Sequence, residues 1–147
     1  MPHAWVASDF IRSVLDLFAY ERDADHALVL AAGVPSAWLD GAGISVRNLR
    51  TPYGMLSYSL KKERERMELN VAAGSLPPGH FLFIWPWKEL PRSTVVNGKT
   101  ASWQGNELHI GELPARVVME GFDRQIARGL RKAGSRLHSV DSPRQPN

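Results

Sequence analysis

Two alternating stretches between positions 51 and 71 constrain the fold of this chain more than any other feature. Every second residue from Leu56 to Leu60 is apolar, and serines lie between them. The same alternation returns from Met67 to Val71, after the charged run KKERER. A period of two is typical of a strand with one buried face and one face in water. The sequence therefore predicts an antiparallel hairpin whose apolar face packs against a second sheet.

Short apolar segments separated by turn residues lie on both sides of this hairpin. Strand-length segments occupy 27–33, 44–49 and 81–87, and several more follow between 93 and 120. Asn97-Gly98 is a strong hairpin signal, because a type I′ turn needs positive φ at both central residues. About eight or nine short strands of this kind predict an all-β fold, an antiparallel β-sandwich over residues 24–120.

An apolar helix is predicted ahead of the sandwich, over residues 1–20. Phe10, Val14 and Leu17 recur at helical spacing, and Ile11 and Leu15 widen the apolar stripe. A stripe this wide needs cover on more than one side, which a single sheet does not provide. We therefore expect this helix either to pack against another domain or to form a homodimer.

Composition excludes several classes of protein. The chain has no cysteine, which excludes disulfides, thiolate zinc sites and cysteine nucleophiles. No apolar run approaches the ~20 residues of a membrane span, so no membrane partner is expected. No export signal is visible at the N-terminus, so a cytoplasmic location is expected for the chain on its own.

The net charge of +3 is concentrated in the tail, residues 121–147. The tail holds six Lys and Arg against two Asp, whereas residues 1–120 carry a net charge of −1. Apolar residues at helical spacing from Phe122 to Leu137 predict a weak basic C-terminal helix, with disorder as the alternative. Because the basic residues are confined to the tail, nucleic acid is not the expected partner, although binding through the tail stays a third hypothesis.

No residue pattern indicates a catalytic or metal site. No two of the five histidines lie at metal-ligand spacing on one element, so no metal or other cofactor is expected. The chain has no GxSxG motif around a serine nucleophile. Asp9 and Asp16 could share a helix face, but helix-capping and surface roles account for them.

The five tryptophans are more informative, because sugar rings stack on exposed aromatic faces. Trp85 and Trp103 lie in predicted strands and are expected in the core. Trp38 and Trp87 flank turns or prolines, so both a core position and an exposed sugar-binding face remain open for them.

Much of the chain resembles part of a known family. The resemblance covers segments 2–22, 27–61, 77–79, 96–99 and 101–119, from PHAWVASDF to ELPARVVM. This is the C-terminal end of bacterial glycoside-hydrolase-like proteins with an (α/α)6-barrel, similar to α-L-rhamnosidases. Some of these carry a discoidin-type (coagulation factor 5/8) domain. The resemblance implies that the first segment is the last barrel helix and that a C-terminal β-sandwich caps the barrel.

The resemblance also implies that the catalytic acids lie in barrel segments outside this sequence. His3 and Trp5 are implied as substrate contacts, because the barrel approaches its sugar site near the start of that helix. We therefore expect no catalytic residue here, and candidate substrate-binding residues at His3, Trp5, Trp38 and Trp87.

The sequence thus predicts a non-catalytic C-terminal accessory domain of a carbohydrate-active enzyme, as a detached or truncated fragment. Its expected partner is the barrel catalytic domain or carbohydrate, and an exported parent enzyme stays open. The alternative is a freestanding carbohydrate-binding module that uses exposed tryptophans.

Overall fold

The computed structural model describes residues 3–122, which form one helix, one 3₁₀ turn and ten strands. Residues 123–147, for which a basic helix or disordered tail is predicted, lie outside the described residues. The helix is α1 (His3–Asp16), and the 3₁₀ turn covers Ser36–Leu39. The strands are β1 (Ala19–Arg22), β2 (Ala27–Leu30), β3 (Ile44–Thr51), β4 (Gly54–Glu63), β5 (Arg66–Val71), β6 (Phe81–Ile84), β7 (Ser93–Val96), β8 (Lys99–Thr100), β9 (Glu107–Ile110) and β10 (Ala115–Glu120).

The strands form two sheets. The smaller has the order β1-β2-β6-β9, and the larger has the order β3-β4-β5-β10-β7-β8. Neighbouring strands are antiparallel throughout, except that β2 and β6 are parallel. The described chain is therefore mostly β, with two antiparallel-rich sheets and one N-terminal helix, which is consistent with a β-sandwich.

The predicted hairpin is formed by β4 and β5. The apolar residues at alternate positions in 56–60 and 67–71 are at most 4% exposed, as the alternation predicts. The turn consists of Arg64 and Glu65 alone, so the charged residues 61–63, expected in a loop, belong to β4. Pairing with β5 continues through these residues, because their charged side chains are partly or fully exposed to solvent.

The inner faces of the two sheets share one hydrophobic cluster. The smaller sheet contributes residues from β2, β6 and β9, and the larger contributes residues from β4, β5 and β10. Each large apolar side chain buried there contributes about 1.5–3 kcal/mol to stability. The prediction that the hairpin packs against a second sheet is confirmed. The largest fully buried members include Trp85, Phe83, Leu28, Leu30, Leu60, Met67, Leu69, Leu108, Ile110 and Met119.

The Asn97-Gly98 turn between β7 and β8 is also confirmed. Its two residues have φ of 49° and 81°, as a type I′ turn requires. The Asn97 side chain accepts a hydrogen bond from the Arg116 backbone N–H at 2.8 Å and donates one to the Pro114 carbonyl at 3.0 Å. The turn is therefore tied to the start of β10.

Strand β1 differs from the sequence prediction. The helix expected over 1–20 ends at Asp16. The sandwich, expected to begin at residue 24, begins earlier with β1, which pairs with β2. The Ala31 N–H donates to the Phe18 carbonyl at 2.8 Å, which draws the chain onto the end of β2. A strand of four residues with one fully buried side chain is too short for its alternation to be recognised in the sequence.

The parallel pair β2–β6 is a second difference, since the sandwich is predicted to be antiparallel throughout. The count of ten strands also exceeds the predicted eight or nine, because β1 gives no clear pattern. Val29 and Leu82 are fully buried on the face opposite the main core. Burial on both faces is typical of parallel strands, but apolar runs of this kind do not identify their neighbours.

Candidate functional site

Helix α1 carries an uncovered apolar surface. Six of the ten large apolar side chains that are exposed among residues 3–122 lie on it. Positions 6, 10 and 14 and positions 7, 11 and 15 form two adjacent rows, since residues four apart lie on one helix face. We call these two rows the α1 apolar face, which covers about half of the circumference at 3.6 residues per turn. Five of the six exposed side chains lie on this face, those of Val6, Phe10, Ile11, Val14 and Leu15, whereas Trp5 lies on the other side of the helix.

The C-terminal end of α1 is anchored to the smaller sheet. The Ala31 and Gly33 N–H groups donate to the carbonyls of Phe18 and Leu17, at 2.8 and 3.2 Å. The buried Tyr58 hydroxyl donates to the Phe18 carbonyl at 2.6 Å, and burial raises the pKa of this phenol. A Cβ at Gly33 would lie 2.5 Å from Leu17 Cδ2, so glycine permits this close approach. The anchor fixes the C-terminal end of the helix on the sheet, while its apolar face remains in solvent.

The four predicted substrate-binding residues lie on three different elements. His3 is the first residue of α1, and Trp5 follows on the same helix with 76% of its surface exposed. Trp38 lies in the 3₁₀ turn and is 50% exposed. Trp87 follows β6 and is partly buried against the core. Trp5 and Trp38 therefore present free aromatic surface.

Trp87 belongs to an aromatic cluster built on the core. Its ring stacks on Phe122 with centroids 5.3 Å apart and planes inclined at 14°, and it meets Trp85 edge-on at 4.9 Å. Lys62 Nζ lies 5.8 Å from the Trp87 ring centroid. Trp85 is 2% exposed, and Trp103 packs against it with centroids 5.6 Å apart. The core position predicted for Trp85 is confirmed, whereas Trp103 is only partly buried against the core, and neither residue lies in a strand as predicted. The ring of Trp87 is largely engaged within the chain.

A shallow groove crosses the outer face of the six-stranded sheet. The strand register places Ser45 opposite Ser59, Ser59 opposite Asn70, and Asn70 opposite Arg116. These four side chains face outward, because their neighbours along each strand point towards the core. Two depressions, of about 420 and 350 Å³, share Ser45, Ser59 and Asn70. We call this row, together with Arg47 at its margin, the outer-face groove.

The two ends of the outer-face groove differ in charge. Arg116 Nε and Nη2 donate to the two carboxylate oxygens of Glu68 at 2.9 and 3.1 Å, and Asn70 Nδ2 donates to Oε1 at 3.1 Å. The hydrogen bonds from Arg116 and then Asn70 lower the pKa of Glu68 to about 2, so Glu68 neutralises Arg116 at neutral pH. Arg47, at the other end, makes no ion pair with any residue in 3–122.

A β-bulge sets the position of Arg47. The pairing of β3 with β4 shifts between Val46 and Leu49, so Arg47 and Asn48 form the irregular part. Asn48 has φ of 53°, and its N–H donates to Ser57 Oγ at 2.9 Å. Bulges redirect side chains and are frequent beside functional sites. This bulge is held by a defined hydrogen bond next to the groove.

A second charged cluster links the edges of the smaller sheet. Arg22 on β1 donates to Asp25 at 2.6 Å and to Glu107 on β9 at 2.6 Å. The bond from Arg22 lowers the pKa of Asp25 to about 2. Since β1 and β9 are the two edge strands, the cluster closes over the outer face of this sheet. Both carboxylates are paired with Arg22, so we interpret the cluster as structural.

Residues 3–122 contain neither a cluster of metal ligands nor a membrane-spanning helix. No three or more His, Asp or Glu side chains there are grouped to hold a metal ion. None of the helices described is long and apolar enough to cross a membrane. Comparisons of the chain with protein-family models, curated proteins and solved structures gave no match. The resemblance to barrel glycosidases therefore stays a prediction, and function has to be argued from the surfaces themselves.

Sequence reasoning missed the outer-face groove. The alternation in β4 and β5 does place Ser59 and Asn70 on the face turned to water. Ser45 and Arg116 join them only through the pairing of β3 with β4 and of β10 with β5. The signal in the sequence was the kind of residue at the outward positions. Serine and asparagine occupy them here, whereas charged residues are commoner on the solvated face of a sheet.

Proposed function

We propose that this chain is a non-catalytic accessory domain of a carbohydrate-active enzyme, packing on the helical catalytic domain through α1. The α1 apolar face is the observation that carries the proposal. In this proposal the two sheets form the capping β-sandwich, and the chain is a detached or truncated piece of the enzyme.

The α1 apolar face is a large apolar surface for a free monomer. Val6 and Phe10 are each 68% exposed, and Ile11 is 59% exposed. Because one aromatic side chain carries about 150–250 Å² and aliphatic side chains carry less, the five exposed residues of this face leave roughly 500 Å² in solvent. The largest apolar patch of a typical monomer is about 300–600 Å² and is often functional. One partner in a stable complex buries about 800 Å², so the α1 apolar face supplies more than half of one side of such an interface.

The arrangement of the exposed residues favours a helical partner. Rows of residues four apart form ridges that fit between the ridges of a neighbouring helix. A face that covers about half of the circumference is wider than the stripe that contacts a single surface. It therefore suits contact with two neighbouring helices, as in a barrel built from helical hairpins.

The test compares the unaltered chain with the triple variant Val6→Ser, Phe10→Ser and Val14→Ser. Its matched control replaces Ser8 and Ser13, on the polar side of α1, by alanine. The probe is an (α/α)6-barrel domain of the α-L-rhamnosidase type that lacks its own last helix and sandwich. Size-exclusion chromatography with light scattering should show a complex with the unaltered chain and the control. It should show none with the triple variant.

Two results would contradict the proposal. One is that the unaltered chain does not bind the barrel. This includes the result in which the unaltered chain forms only a homodimer and the triple variant does not. The other is hydrolysis of an aryl glycoside by the pure chain at enzyme-like rates, which would refute the non-catalytic role. Circular dichroism of each variant checks that the sheets remain folded.

A freestanding carbohydrate-binding module is the second candidate, and the exposure of Trp38 favours it. A half-exposed indole on a 3₁₀ turn offers a face on which a sugar ring can stack. Quenching of tryptophan fluorescence by neutral oligosaccharides, lost in Trp38→Ala, would support this candidate. We expect Trp87→Ala to change stability more than quenching, because its ring packs on Phe122.

A further inference from the structure

The outer-face groove has hydrogen-bonding groups that the fold does not use. Within residues 3–122, the hydroxyls of Ser45 and Ser59 make no hydrogen bond, and Asn70 uses only its Nδ2 group. Hydroxyl and amide groups both donate and accept, as the hydroxyls of a sugar do. Their alignment across β3, β4 and β5 forms a polar floor that can bind several ligand hydroxyls side by side.

The charge of the groove adds a preference for an anion. Arg116 is neutralised by Glu68, so Arg47 is the cation at the groove with no charge partner among the described residues. A guanidinium group binds a carboxylate through two parallel hydrogen bonds. The β-bulge, fixed by the bond from the Asn48 N–H to Ser57 Oγ, determines where Arg47 leaves the sheet.

The dimensions suit an extended ligand. β3 and β10 are separated by β4 and β5, so Ser45 and Arg116, which lie in one register row, leave the sheet about 14 Å apart at about 4.8 Å per strand, and Arg47 lies two residues further along β3. The depressions of about 420 and 350 Å³ share the row Ser45, Ser59 and Asn70 and extend from it in opposite directions along the strands. A short oligosaccharide is long enough to span both of them.

We propose that the outer-face groove binds an acidic saccharide. The carboxylate of a uronic acid unit binds Arg47, and hydroxyls of the same or adjacent units bind Ser45, Ser59 and Asn70. This inference goes beyond the docking role proposed for α1 and uses none of its residues. It remains testable if α1 has a different partner.

The experiment is a titration of the full-length, ¹⁵N-labelled chain followed by heteronuclear NMR. The probes are a galacturonic acid trimer, the matched neutral galactose trimer and inorganic phosphate. With the acidic trimer we expect saturable shifts of the amide signals of Ser45, Ser59 and Asn70. Arg47→Ala should weaken this binding by at least about tenfold, the equivalent of one lost charged contact.

Arg50→Ala is the matched control. Arg50 lies on the same strand with the same charge, but it does not line either depression. It should change the affinity by less than about twofold, because a charge outside the site acts only through screened solvent. Arg47 and Arg50 are both exposed, so both variants should fold, and circular dichroism checks this.

Four outcomes would overturn the inference. The absence of saturable shifts at the groove would remove the site. Equal weakening by both arginine variants would show diffuse charge attraction. Equal affinity for the neutral trimer would remove the role of the carboxylate, and equal affinity for phosphate would indicate a simple anion site.

Discussion

Replacing Phe10 or Phe83 by alanine removes the same atoms from opposite environments. Phe10 on α1 is 68% exposed, whereas Phe83 on β6 is 2% exposed and lies 6.5 and 6.4 Å, between ring centroids, from Trp85 and Trp103. We expect Phe83→Ala to lower the free energy of unfolding by about 3–5 kcal/mol, because it loses buried contacts and leaves a cavity. Phe10→Ala should change it by at most about 0.5 kcal/mol, since that ring is largely in solvent.

Urea unfolding followed by tryptophan fluorescence measures both effects, because Trp85 and Trp103 report on the core. With a slope of about 1–3 kcal/mol per molar urea, the Phe83→Ala change should lower the midpoint by about 1 M or more. Phe83→Leu retains most of the apolar volume and should cost less, so it preserves the comparison if Phe83→Ala does not fold. Each curve is measured at two protein concentrations, which separates folding from self-association.

The reasoning fails if Phe10→Ala lowers stability as much as Phe83→Ala at the lower protein concentration. The α1 apolar face would then be covered within a single chain, and neither a barrel nor a second copy would be needed to cover it. A loss seen only at the higher concentration would identify the homodimer that the sequence predicts.

Three further predictions concern the sheets. The folded-state pKa of Glu68 is about 2, against an ordinary value of 4.5. The bond of Glu68 with Arg116 therefore stabilises the fold fully above pH 4.5, and this stability is lost as the pH falls towards 2. Glu68→Gln should therefore reduce the difference in urea midpoint between about pH 3 and pH 7. Gly79→Ala should cost at least about 2 kcal/mol in a thermal melt, since its Cβ would lie 2.2 Å from a backbone oxygen, whereas Gly74→Ala, at 3.4 Å, should cost little. Asn97→Ala should cost about 1–2 kcal/mol by urea unfolding, because it removes two hydrogen bonds to backbone groups.

The fold could be predicted where the signal is local. Alternation at 56–60 and 67–71 identified the central hairpin and its buried face, because successive side chains in a strand point to opposite sides. Asn97-Gly98 identified its turn, because few other residue pairs tolerate positive φ at both positions. The wide apolar stripe identified α1 and its lack of cover by the sheets. Its partner stays a prediction, since a stripe indicates how much surface must be covered and leaves open what covers it.

The sequence by itself determined which side chains face the core and which face water in the alternating strands β4 and β5. It did not determine which strands are neighbours, and only the tertiary structure decided that β2 lies parallel to β6 and that β10 lies between β5 and β7. The outer-face groove depends on that choice, since Ser45 and Arg116 reach one row with Asn70 only through pairing. The face of a side chain follows from a local period of two, whereas strand order follows from the free energy of the whole core.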